Sequence, residues 1–232
     1  MNLWELVFVK AAVTEAEDLT GRFRRIVLQA EALGSAAWRP GQQVRLDVRD
    51  AGAFGPVLRT YSVWDRAGDI VELRVWRHGD GPGARWTTAA KPGDEVLLMK
   101  PKGDFVVRPA AHHLFVGEET ASVAFGPMLR SLPAGERTAS RTVVEVGSSA
   151  DRLDLGGAVT WVDRGEDSAA SSQHLVNAVK ALDLPAEPGQ AYVAGEARTV
   201  QAVRDHLVRE RGWPRRSVLT KPFWTPGKRG LE

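Results

Sequence analysis

The sequence predicts a two-domain α/β protein, an antiparallel β-barrel followed by a parallel-sheet α/β domain of nucleotide-binding type. Three observations predict it. Through residue 109, short β-patterned runs follow one another with turn formers between them. From residue 112, strand-like runs alternate with helical patterns, the βαβ rhythm of a parallel sheet covered by helices. Between them Arg108-Pro109-Ala110-Ala111 reads as a linker, giving expected domains 1–109 and 112–232. The length of 232 residues, with 43% hydrophobic and 26% charged residues, suits two modest domains.

Taken in order, residues 5–13 are apolar and β-branched, and 22–28 and 43–49 follow with strand character. Val44, Leu46 and Val48 alternate with Arg45, Asp47 and Arg49, which predicts a half-buried strand. Residues 57–64 and 70–76 continue the series, joined through Asp65 to Asp69 as a hairpin. A short helix is expected over 81–90, then a turn at Lys91-Pro92-Gly93-Asp94, a strand over 95–99 and a turn at Pro101-Lys102-Gly103-Asp104. In the second half, 113–116, 141–146, 159–162 and 190–194 read as strands. Helical spacing covers 120–132, 173–182 and 199–211, the last with Thr199 as its N-cap.

Composition narrows the chemistry. The chain has no cysteine, which excludes disulfides, thiolate metal sites and cysteine-held iron–sulfur clusters. Five scattered histidines show no metal-ligand spacing. Net charge is only +2 and no dense basic tract carries interleaved aromatics, which argues against a nucleic-acid partner. No run is long enough to span a bilayer, and the N-terminus lacks a signal-peptide pattern, so a cytoplasmic location is expected. Redox chemistry would have to come from a bound organic cofactor or a substrate metal.

The stretch Arg59-Thr60-Tyr61-Ser62 places a cation, a ring and hydroxyls along one strand. An extended planar anion suits it: a flavin dinucleotide offers a ring for Tyr61, an N5 atom for Ser62 and a pyrophosphate for Arg59. The same residues also read as an ordinary hairpin strand. His78-Gly79-Asp80-Gly81-Pro82-Gly83-Ala84-Arg85-Trp86 sets small residues before a helix, where backbone N–H groups can meet a phosphate. It equally reads as a capping turn, with His78 a satisfied turn residue and Trp86 packing on the barrel. Gly117-Glu118-Glu119-Thr120-Ala121 and Ala194-Gly195-Glu196-Ala197 each lie where a parallel strand gives way to a helix, the crevice side of such sheets. Either could receive a nicotinamide nucleotide or serve as a plain strand-to-helix turn. For the donor, Ser148, Ser149 and Arg152 offer a 2′-phosphate site, and Glu145 points the other way. The C-terminal Lys221-Pro222-Phe223-Trp224-Thr225-Pro226-Gly227-Lys228-Arg229 pairs aromatics with cations suited to an anionic substrate, or forms a terminal strand with a solvated basic tail.

Together, Arg59-Thr60-Tyr61-Ser62, His78 to Trp86, Gly117 to Ala121, Gly195-Glu196-Ala197 and Phe223-Trp224 resemble the siderophore-interacting protein family of ferric-siderophore reductases, which is similar in fold to ferredoxin-NADP reductases. The resemblance implies FAD, held by Arg59, Thr60, Tyr61, Ser62, His78, Gly81, Pro82, Gly83, Ala84 and Trp86. It implies cofactor contacts from Thr120, Ala121, Gly195, Glu196 and Trp224 in the second domain, whose C-terminal tail would return toward the flavin. Ser62 would be the N5 partner, with no protein acid or base needed for catalysis. Lys221, Lys228 and Arg229 would hold the ferric siderophore, although the family's cations at two positions are replaced here by Trp64 and Thr225. The expected activity is reduction of ferric siderophores with electrons from NADPH or NADH, by a monomer, with a ferredoxin-like protein as another possible donor. An NAD(P)H-dependent flavin, quinone or electron-carrier reductase is the competing enzyme, and a non-catalytic flavin- or siderophore-binding module the competing class.

Overall fold

The computed structural model describes residues 8–50 and 55–228; the strand expected over 5–13 therefore lies partly outside the described residues, as does Arg229. The chain divides into two compact units, 1–106 and 107–232. The first is a closed antiparallel barrel and the second a five-stranded parallel sheet with helices, the fold class expected from the sequence.

The barrel comprises β1 (Phe8–Asp18), β2 (Phe23–Gln29), β3 (Gln43–Asp47), β4 (Leu58–Ala67), β5 (Ile70–Trp76) and β6 (Glu95–Lys102), in the order β1-β2-β5-β4-β3-β6. Pairing of β1 with β6, Phe8 opposite Met99, closes it. Alternation turns Ile26, Leu28, Val44, Leu46, Val63, Leu73, Val75 and Leu98 inward to one apolar core. Each branched side chain so buried contributes about 1.5–3 kcal/mol. Helix α1 (Pro82–Ala89) starts on Gly81 with Pro82 at its first position and lays Trp86 on that core.

Three sequence expectations for this unit change. Asp47 was expected on the solvent face of a half-buried strand but is buried: its Oδ1 accepts from the Val57 amide at 2.9 Å and its other oxygen pairs with Arg49, closing the β3–β4 connection. The β4–β5 hairpin is tighter than expected, with strands running to Ala67 and from Ile70 and only Gly68 and Asp69 between them. Gly68, at φ 58°, supplies the left-handed conformation such a two-residue loop needs. Strand β6 runs through Pro101 to Lys102 instead of turning there. Lys100 and Pro101 together oppose Val44 between the Arg45–Met99 and Gln43–Lys102 pairs, and this bulge tolerates a residue with no N–H.

The second unit comprises β7 (His113–Glu118), α2 (Glu119–Ser131), α3 (Ala134–Ala139), β8 (Arg141–Val146), β9 (Thr160–Asp163), α4 (Gln173–Lys180), β10 (Gln190–Glu196), α5 (Ala197–Asp205) and β11 (Val218–Trp224). The order β11-β10-β7-β8-β9 is parallel throughout. Leu114, Val116, Val143 and Val193 pack one face against Leu175 and Val179 of α4 and Val200 and Val203 of α5. Helix α3 was not anticipated, because none of its residues is buried and no apolar stripe marks it. The last helix begins at Ala197, before the expected start, with Glu196 rather than Thr199 as N-cap. It ends in a π-turn over His206–Glu210, where His206 bridges Glu210 at 2.8 Å and Arg211 at 3.0 Å. Edge strand β11 has β10 as its neighbour and carries Pro222, which is exposed.

Candidate functional site

In the barrel unit, β4 and the first turn of α1 come together. A Cβ placed on Gly83 would lie 2.8 Å from the Tyr61 hydroxyl and 3.3 Å from Arg59 Cγ, so only glycine lets the helix start approach so closely. The Tyr61 hydroxyl lies 3.5 Å from the Gly83 carbonyl, and its ring is 5.7 Å from that of Trp86. Burial pushes the Tyr61 phenol up to about 12, so it stays a neutral donor. Arg59 donates to the Leu58 carbonyl at 2.7 Å. Thr60 is exposed, whereas Ser62 is buried and accepts a long 3.5 Å hydrogen bond from Gln43.

Gly81 caps α1 without a side-chain bond, and the first helical amide to find an intrahelical partner is Arg85, at 3.0 Å from the Gly81 carbonyl. The amides of Gly83 and Ala84 precede it and, as helix-start donors, have no intrahelical acceptor. Arg85 itself turns away, donating to the Asp80 carbonyl and to Asp50 at 2.6 Å each. His78 is exposed. Trp64 is buried beneath Arg74, whose guanidinium carbon stands 3.8 Å from the ring centroid. A guanidinium, a phenol and a glycine-lined helix start come together beside an aromatic ring, a donor set that fits the pyrophosphate and ring of a flavin dinucleotide.

In the α/β unit Thr120, Gly195 and Trp224 meet around Glu118, which in sequence carries no role of its own. Glu118 ends β7 and is 2% exposed. Its carboxylate accepts from the Thr120 amide at 2.8 Å, from the Thr120 hydroxyl and from the Trp224 indole Nε1–H at 3.0 Å. Gly195, at φ 120°, leaves room for it: a Cβ there would meet Glu118 Oε1 at 2.6 Å. Burial first, then the charge of Glu119, pushes the Glu118 carboxyl up to about 7. The N-cap of α2 is thus Glu118, and Thr120 is its donor.

Glu196 is equally engaged. It accepts from the amides of Arg198 and Thr199 at 2.9 Å, from that of Ser171 at 3.1 Å and from the Thr225 hydroxyl at 3.2 Å. Burial pushes its carboxyl upward, but these hydrogen bonds outweigh it and hold it below the usual range. Ala121 is fully buried against Gly117. Lys221 is half-buried on β11 opposite Ala194, and Lys228 is exposed after the turn from Thr225.

A second buried group lies alongside. Arg164 donates to both oxygens of Glu119 and at 3.5 Å to Glu145, which also accepts from Ser172 and from the Leu175 amide at 3.0 Å. Glu145 therefore faces inward, helping to start α4. Burial raises its carboxyl above the usual range. Ser148 and Ser149 are exposed, and Arg152 bonds Asp163 at 2.8 Å. The missed signal was repetition: an acid stands at the last position of β7 and β10 and the last but one of β8, where apolar residues give way to helices or loops. Among the described residues no group of His, Cys, Asp or Glu could hold a metal ion, and no helix is long and apolar enough to cross a membrane.

Residues 110–227 match the family model described as siderophore-interacting protein, and residues 48–105 match that of the siderophore-interacting FAD-binding domain. The chain is 30% identical over 183 residues to the ferric vibriobactin reductase ViuB of Vibrio cholerae, covering 75% of this chain and 66% of that protein. It is 23% identical to the NADPH-dependent ferric-chelate reductase of Escherichia coli, over 95% of this chain and 94% of the relative. Among solved structures, the siderophore-interacting protein from Acinetobacter baumannii superposes with a TM-score of 0.83 at 18% identity, covering 95% of this chain and 91% of the other. A siderophore utilization protein from T. fusca gives 0.83 at 23% identity, covering 97% and 95%.

Proposed function

The chain belongs to the siderophore-interacting protein family, and we propose that it is an FAD-dependent reductase that passes electrons from a nicotinamide nucleotide to ferric siderophores and releases ferrous iron. The observation that carries this reading is the meeting of Arg59, Tyr61 and Gly83 at the start of α1. When bound, FAD supplies two-electron uptake and one-electron release, which no side chain of a cysteine-free chain can provide. The protein's part is to hold. Arg59 and the amides of Gly83 and Ala84 would take the pyrophosphate, Tyr61 the ring, and the Ser62 hydroxyl a hydrogen bond near N5. Thr60, His78, Gly81, Pro82 and Trp86 complete that seat. Lys221, Lys228 and Arg229 are proposed to attract the anionic chelate, and the working unit is proposed to be a monomer.

For the donor we favour NADPH. Glu145, the acid that would otherwise recognise a ribose hydroxyl, is turned into the fold, which leaves exposed Ser148, Ser149 and Arg152 for a 2′-phosphate. Replacing Arg152 by alanine is expected to raise the NADPH KM several-fold and leave that for NADH unchanged. An NAD(P)H-dependent reductase of free flavin, quinones or a protein carrier is the second reading. It is favoured by Trp64 and Thr225, which stand at family cation positions and are held by Arg74 and Glu196.

The deciding experiment reconstitutes the protein with FAD, reduces it anaerobically and mixes it with ferric siderophores in the presence of a ferrous chelator. Rapid return of the oxidised spectrum with ferrous trapping is the expected result. Reoxidation by quinones but by none of the ferric chelates would select the second reading, and failure to take up FAD would sink both.

A further inference from the structure

We propose that Glu118 is the positioning residue for Trp224: its Oε1 fixes the indole at the crevice end of the sheet and so shapes the wall that receives the nicotinamide nucleotide. This rests on reading the α/β unit as the donor-binding unit.

Two independent features of the backbone aim these side chains at each other. Between β10 and β11 the register slips: Gly195 opposes Pro222, yet Glu196 opposes Trp224. Phe223 is the extra residue, and such a bulge re-aims the side chain that follows it. On the other side, Gly195 is left-handed and lacks the Cβ that would collide with Glu118 Oε1 at 2.6 Å, so the carboxylate of β7 can reach past β10 to β11. An indole has one N–H and accepts nothing, so the acceptor it finds fixes how its ring stands. The Thr120 amide and hydroxyl hold the carboxylate in place.

The arrangement is costly, which argues that packing alone did not select it. Glu118 is buried beside a second acid, Glu119, and an apolar side chain would avoid that. Arg164, reaching in from beyond β9, offsets the cluster through Glu119 and Glu145 of β8, and it also senses Glu118. Glu196 of β10 is held by the first turn of α5 and by Thr225, and Lys221 lies on β11. All three donors to Glu118 favour its ionised form, so the indole is held more firmly as pH rises through about 7.

The test uses the full-length protein with nitrogen-15 in its tryptophan indoles. The Trp224 indole resonance, identified by its loss in Trp224→Phe, is expected to shift with a midpoint near 7 in the parent and to be flat with pH in Glu118→Gln. In turnover with NADH, which lacks a titrating 2′-phosphate, Trp224→Phe and Glu118→Asp are each expected to raise KM about fivefold at pH 8 with kcat changed less than twofold. The double variant should go no further, because both single changes break one interaction. An indole resonance indifferent to pH, or unaltered by Glu118→Gln, overturns the proposal, as do KM effects that multiply. A protein that oxidises neither nicotinamide would refute the proposed function, and the resonance would still decide whether Glu118 anchors Trp224.

Discussion

The two units treat charge in opposite ways. The barrel keeps most ionised groups on its outer wall, where Arg25 gathers Glu15, Glu17 and Glu72, buries Asp47 at the β3–β4 connection, and fills its core with hydrocarbon. The α/β unit buries Glu118, Glu119, Glu145 and Glu196 at one end of its sheet and ties them to Arg164 and to helix starts. The difference teaches which donors remain for a ligand. At the barrel seat the amides of Gly83 and Ala84 begin a helix that has no side-chain cap. In the α/β unit the Thr120 amide of α2 is already met by Glu118, and the Arg198 and Thr199 amides of α5 by Glu196. A dianionic pyrophosphate gains much in the first place and little in the second. Under the proposed function, that contrast predicts tight retention of FAD and brief visits by the donor.

The sharpest way to break the contrast is to remove Arg164, the cation paired with the buried acids. Arg164→Met is expected to cost the α/β unit about 3–5 kcal/mol, measured by urea unfolding, because it strands buried carboxylates. The sign with pH is distinctive. A carboxyl raised in the fold, as Glu145 is, binds protons preferentially there, so the variant should recover stability as pH falls. Next in size is Gly83→Ala in the barrel. Its methyl must displace the Tyr61 hydroxyl, and FAD affinity measured by fluorescence titration should fall about tenfold, an effect of 1–2 kcal/mol.

A third prediction compares the units directly. Glu118, raised to about 7, should make the α/β unit lose stability as pH climbs from the ordinary carboxylate range to 7, then level off. Glu196, lowered, acts in the other sense and only below that range, its contribution fading as pH falls. The shifted groups of the barrel, Asp18, Asp50 and Tyr61 among them, titrate outside this window. Hydrogen exchange at matched intrinsic rates should therefore show β7 and β10 opening more readily at pH 7 than at pH 5, with β3 and β4 unchanged, and Glu118→Gln should weaken the trend, leaving the part carried by Glu145. The smallest effect is expected from Lys228→Ala, an exposed cation after the last turn: a rise of about twofold in the half-saturating ferric-chelate concentration, weakening further with salt.

The architecture was legible because both periodicities are strong: alternation marks the barrel, and the switch to βαβ spacing marks the sheet. Arg59, Tyr61 and Gly83 were legible as neighbours because one strand separates β4 from the helix whose first turn holds Gly83. The acid cluster was harder to read. In sequence Glu118 stands in its stretch without a role of its own and Glu145 reads as a ribose-facing acid, and only the fold shows amides and a guanidinium converging on them. Asp47 misled because one of its partners, Val57, lies across the β3–β4 connection, while the other, Arg49, follows two residues later. Thr199 looked like the better cap because hydroxyls usually are, but Glu196 stands one turn earlier and reaches three amides.

Pro222 has a consequence outside the chemistry. An unpaired strand edge invites another chain to extend the sheet, and β11 is such an edge on this fold. A proline there deprives an incoming strand of one hydrogen bond, and its neighbour Lys221 would repel a second copy of the same edge. At the opposite margin, β9 spans four residues, too few to template a stable addition. The barrel, closed on itself, offers no margin at all. Through sheet extension, then, the described chain resists polymerising even when crowded.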